Sequence, residues 1–173
     1  WALAVPLFRE VIGLTSMQTG IALAVGAVMG LVAPAVVGRL EARIGGIAII
    51  LAGIPLTGVT VAAIGVSDAF WMATLAYAAF QLVDYVSVAA YIGERQRRAP
   101  LRLQSTVGIF GRTLIMLSLA VGSAAASGIS ELVSLRALYA GMAVLTLAVG
   151  AVGIVALSSA RRSGPDKAVS ERA

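Results

Sequence analysis

Five stretches of this 173-residue chain are long enough to cross a bilayer and carry almost no charge. A run of about 18 or more apolar residues reads as a spanning helix, because each residue adds about 1.5 Å along the axis and the hydrocarbon is about 30 Å thick. Residues 20–38, 44–67, 113–130 and 137–160 contain no Asp, Glu, Lys or Arg, and residues 69–93 contain one, Asp84. These runs are apolar all round, whereas barrel strands alternate polar and apolar positions over about ten residues, so helices are indicated. Composition excludes the alternative of a water-soluble fold: 60% of residues are hydrophobic and 12% are charged, with a mean hydropathy of +0.97. The expected architecture is an all-α membrane protein, a helical bundle of five complete transmembrane helices at about 20–38, 44–67, 69–93, 105–130 and 137–160. Residues 1–8 form a truncated N-terminal helix stub, and 161–173 form a polar tail expected to be disordered.

The net charge of +5 does not point to nucleic acid, because the basic residues sit in the connectors and not along a face interleaved with aromatics. Topology explains them. Arg39 and Arg43, then Arg95, Arg97, Arg98 and Arg102, then Arg161, Arg162, Lys167 and Arg172 fall on one side of the membrane, against Arg9 and Arg136 on the other. The positive-inside rule makes the first side cytoplasmic, and the C-terminus with it. The segment before residue 19 then lies outside, and the chain begins at Trp1 without a signal sequence. The expectation that follows is a stub, Trp1 to Phe8, of another apolar helix, with this chain the end of a larger protein. Trp71 and Tyr139 are expected in an outer aromatic belt.

With no Cys and no His, thiol catalysis, disulfides, haem ligation and the usual zinc sites are removed, and no cofactor is expected. The chemistry-bearing residues concentrate on 69–93, where Thr74, Tyr77, Gln81, Asp84, Tyr85 and Tyr91 recur at steps of three and four on one face. Such a stripe is expected to look into protein or a water-filled cavity, as a solute pathway or as glue between helices. Asp84 and Arg112 each lie ten residues from the basic loop, at one depth. They either pair across adjacent helices, or Arg112 snorkels to the headgroups. Small residues four apart, Ala22, Gly26 and Gly30 on one helix and Ser118, Gly122, Ala126 and Ser130 on another, predict close helix packing. Pro34 and Pro55 interrupt their helices.

Gly13-Leu14-Thr15-Ser16-Met17-Gln18-Thr19-Gly20 leads into the first run, which ends Gly38-Arg39-Leu40-Glu41-Ala42-Arg43-Ile44-Gly45. These segments resemble the "G-L-S-x-x-Q-x-G" helix start and a degraded "G-x-L-x-D-R-x-G-R-R" turn of the major facilitator superfamily. Ala42 stands at the aspartate position, with Glu41 one place early. The resemblance covers essentially the whole chain and implies the C-terminal half of a twelve-helix transporter, similar to drug and macrolide efflux members of the cell membrane. It implies as partners membrane lipid, the missing N-terminal half, a small organic solute and a proton, moved in antiport by alternating access. Asp84 is the candidate coupling acid. The turn of Gly38, Arg39, Arg43 and Gly45 is either a gate element or a topogenic basic loop whose glycines let two helices reverse.

Three function classes stay in view. A secondary transporter leads, since no "G-x-x-x-x-G-K-S" loop for ATP occurs. A non-transporting membrane subunit or scaffold would use the small-residue faces only to bind other helices. An intramembrane enzyme would require paired acids or a nucleophile with a base at one depth, and only one deep acid exists, so no enzyme is expected.

Overall fold

In the computed structural model, which describes residues 3–162, the chain is helical throughout its long segments, and no strand occurs among the described residues. A short turn α1 (Ala4–Pro6) passes into a π-helical turn, Leu7–Val11. Five long helices follow: α2 (Ser16–Ile44), α3 (Gly46–Gly65), α4 (Phe70–Arg98), α5 (Gln104–Ser130) and α6 (Leu135–Arg162). All five are long and apolar enough to cross a membrane. Trp1, Ala2 and residues 163–173, most of the expected tail, lie outside the described residues.

Several helices overrun the charge-free windows, while α3, at Gly46–Gly65, falls within its own. α2 begins four residues before 20 and continues through Arg39, Glu41 and Arg43, and α4 continues through Glu94 to Arg98. The reason is physical: a charge ends a hydrocarbon-crossing stretch but not a hydrogen-bonded helix, which runs on into the headgroup layer. The expected Gly38–Gly45 turn is corrected accordingly. Gly38, Arg39 and Arg43 belong to the last turns of α2, and a Cβ at Gly38 would meet nothing. The reversal is confined to Gly45, whose φ of 79° no side-chain-bearing residue adopts cheaply and whose N–H donates to the Glu41 carbonyl.

The "G-L-T-S-x-Q" start of α2 resolves into local hydrogen bonding. Thr15 Oγ1 accepts from the Gln18 N–H at 3.2 Å, and Gln18 Oε1 accepts from the Thr15 N–H at 3.0 Å, a capping box that satisfies two amides at the helix start. Gly13 supplies the positive φ, 76°, that swings the chain out of the π turn. Buried Leu14 donates its N–H back to Phe8. The stub is thus built into the core, with Leu7 and Phe8 buried and the Phe8 ring edge-on to Tyr77 at 5.6 Å.

Apolar burial has little driving force in lipid, so association rests on close van der Waals packing at small residues. α2 runs parallel to α4, and the contact is made where Ala22, Gly26 and Gly30 leave room: a Cβ at Gly26 would lie 2.6 Å from the Tyr77 ring, and one at Gly30 2.9 Å from Tyr85. α3 runs antiparallel to α4, with Gly53 against Ser87, and antiparallel to α6. There Gly58 meets Leu147, Gly65 meets Tyr139 and Gly150 meets Pro55. Tyr139 is therefore an interhelix packing residue, not part of an aromatic belt, while Trp71 is 71% exposed. At this end Arg136 pairs with Asp68. The second small-residue row does not pack. α5 stands off from the bundle, only Gly111 of it is buried, and a Cβ at Gly122 would meet nothing.

Candidate functional site

Tertiary packing divides the expected polar stripe of α4 into two. Thr74, Tyr77 and Gln81 are 3%, 2% and 1% exposed, closed in against α2, with Tyr77 and Gln81 both facing Gly26. The Thr74 hydroxyl is used locally, donating to the Phe70 carbonyl at 2.8 Å. Gln81 Oε1 and Thr19 Oγ1 are buried without a hydrogen-bond partner, and both belong to this end of the α2–α4 contact. Of the two readings that their spacing left open, these three α4 residues follow the first in this structure: they look into protein and not onto a water-filled cavity, so a solute pathway along them is not seen. The physical reason is Gly26, which lets α2 close over them. Tyr85 is half-buried against Gly30.

Further along α4, toward its C-terminal end, the helix is open. Val88, Tyr91 and Arg95 border a furrow between α3, α4 and α5 that consists of two adjoining cavities of about 560 and 620 Å³ meeting at Ile50 and Tyr91. Asp84 precedes Val88 by one helical turn, is half-buried and lines neither cavity. No ion pair joins it to Arg112, which is exposed on the detached α5. Of the two readings open for Arg112, pairing with Asp84 is therefore not found in this structure. Asp84 is thus a half-buried carboxyl group in the interior of a 29-residue membrane-length helix, and it forms no salt bridge among the described residues.

At the Arg-rich end, a network ties α2 to α4. Arg97 bridges Glu41 at 3.2 Å and Glu94 at 2.8 Å, and Arg98 binds Glu94 at 2.6 Å, all above Gly46. Glu41 makes the contact to a neighbouring helix that Ala42, at the motif's aspartate position, cannot. Arg39 only reaches back to the Ala35 carbonyl at 3.4 Å, and Arg43 is exposed. Sequence reasoning missed this network. The Glu94–Arg97–Arg98 part carries an i, i+3, i+4 signal that could have found it. The Glu41–Arg97 part spans 56 positions and carries none.

The arrangement therefore offers one acid inside a membrane-length helix that forms no salt bridge among the described residues, an open furrow reaching the Arg-rich end, and a charged clasp between α2 and α4 beside the mouth of the furrow. Comparison with models of known families, with characterised proteins and with solved structures finds no match to this chain.

Proposed function

We propose that the chain is half of a secondary transporter of the major facilitator kind. It moves a small organic solute, as a drug or metabolite efflux antiporter, by alternating access against a second half-bundle. A proton is carried on Asp84. The Arg-rich end faces the cytoplasm of a cell membrane, as the charge asymmetry favours. The observation that carries the reading is Asp84 itself: an acid inside a membrane-length helix with no salt-bridge partner among the described residues costs stability, and such residues mark ion and proton routes.

The test is Asp84→Asn in the full-length protein, reconstituted in proteoliposomes with an imposed pH gradient and ethidium as the probe. Asn keeps size and hydrogen bonding but cannot release a proton, so gradient-driven efflux is lost while the fold persists. Because no ion pair is broken, the unfolding free energy stays within about 1 kcal/mol of wild type, and Arg112→Gln does not alter the outcome. Efflux at the wild-type rate in Asp84→Asn sinks the coupling role.

A second reading, a non-transporting membrane subunit or scaffold, is favoured by the enclosure of Thr74, Tyr77 and Gln81, which act as packing residues. It is distinguished by the absence of gradient-driven flux in the wild-type protein itself.

A further inference from the structure

The furrow between α3, α4 and α5 has a charged mouth and an apolar length. At the mouth, Arg95 lies with its guanidinium 5.5 Å from the centroid of the Tyr91 ring and pressed against Gly111 of α5. These contacts hold the side chain at the furrow and keep it from extending into solvent. Its Nη1 is buried and has no hydrogen-bond partner. The acid next to it in the chain, Glu94, is already committed, since it accepts from both Arg97 and Arg98. Arg98, which also lines the mouth, uses its Nε in that pair and is otherwise exposed. A buried guanidinium donor without an acceptor is costly, and an oxyanion is the group whose geometry suits it.

Beyond the mouth the walls are apolar. Ile50 and Tyr91 lead to Ile54, Leu114 and Leu119. From Val107 at the mouth to Leu119 at the far end is twelve residues of α5, about 18 Å. That is close to one leaflet, half of the roughly 30 Å of hydrocarbon, and far short of a transbilayer channel. We infer that this furrow is a site for one anionic phospholipid of the leaflet at the Arg-rich end, its phosphate against Arg95 and Arg98 and an acyl chain along Ile50 and Ile54. Basic pockets between transmembrane helices at one membrane face are a known form of such recognition. The site is independent of the proton role of Asp84.

The full chain, purified in a neutral detergent, is titrated with dioleoyl phosphatidylglycerol, dioleoyl phosphatidylcholine or inorganic phosphate, and bound lipid is read by native mass spectrometry. One phosphatidylglycerol is retained in preference to phosphatidylcholine, and inorganic phosphate does not displace it. Arg95→Gln removes the phosphate partner, and Ile50→Trp plugs the furrow while keeping every charge. Each weakens phosphatidylglycerol retention about tenfold, the loss expected for a hydrogen-bonded charge or its apolar support. Arg39→Gln, at the same end but away from the furrow, leaves retention unchanged. The inference is overturned by equal retention of the two lipids, by displacement with inorganic phosphate, or by Arg39→Gln acting as strongly as Arg95→Gln. It is equally overturned by a dimer that excludes lipid from the furrow. Should Arg95→Gln not fold, undiminished phosphatidylglycerol retention in Ile50→Trp overturns it alone.

Discussion

Gly26 decides more of this structure than any charged residue. A Cβ there would lie 2.6 Å from Tyr77 Cε1 and 3.0 Å from Gln81 Cγ, and the Tyr77 ring is buried between Phe8 and α2 with nowhere to turn. Gly26→Ala should therefore overpack the contact and lower stability by about 1–3 kcal/mol. Gly20→Ala, one and a half turns earlier on the same helix and in open space, should be neutral or raise stability by up to about 1 kcal/mol through helix propensity. Thermal or denaturant unfolding of both variants in detergent checks the contrast. Equal effects would mean that α2 and α4 do not meet at Gly26. The same comparison of surroundings separates Gly111 from Gly122 on α5: the first is filled by the Arg95 guanidinium, the second by nothing.

Among the elements, α2 is the one whose ends are written into local chemistry. Its start rests on the reciprocal Thr15–Gln18 capping box and its end on Gly45. Thr15→Ala leaves the Gln18 N–H without its side-chain acceptor and should cost about 1 kcal/mol. Thr15 and Gln18 serve one motif, so the double alanine variant should cost less than the sum of the single variants in an unfolding cycle. Additive losses would show the two bonds to be independent. α3 is held differently: Pro55 removes one amide from its ladder, and Gly150 of α6 packs directly against the proline ring. α5 has the length and hydropathy of its neighbours and yet buries only Gly111, so the same apolar run that defines it in sequence says nothing about which of its faces meets protein.

At the scale of the whole molecule, alternation of the helices places Gly46, Glu41 and Arg97 together and Gly65, Asp68 and Arg136 at the opposite end. The chain has no cysteine, so single cysteines report sidedness directly. Ala42 and Ala69 are exposed at the two ends, whereas Ser67, an obvious loop choice, is buried with its hydroxyl bound to the Ala63 carbonyl. Ala42→Cys and Ala69→Cys should label from opposite faces of sealed vesicles with a membrane-impermeant maleimide, Ala42 from the cytoplasmic face. Labelling of both from one face would overturn the alternation, and Ala42 labelling from outside would overturn the orientation.

The helices were legible in the sequence because a bilayer-length segment must satisfy its own backbone hydrogen bonds and exclude charge, and both requirements act locally along the chain. Their ends were not, since Arg39, Glu41 and Arg95 through Arg98 continue helices past the hydrocarbon that charge counting detects. The row Ala22, Gly26 and Gly30 was readable as a packing face, but in the chemically similar row Ser118, Gly122, Ala126 and Ser130 none is buried and the first two stand open. Spacing places residues on one side of a helix and carries no information about what lies opposite. Thr74, Tyr77, Gln81 and Asp84 share a helical stripe for that reason, and only tertiary packing, with α2 approaching Tyr77 and Gln81 at Gly26, buries the first three and leaves Asp84 half-buried. The pairing of Glu41 with Arg97 and the seating of Arg95 against Gly111 are likewise products of tertiary structure, because contacts between residues distant in sequence exist only once the helices have packed.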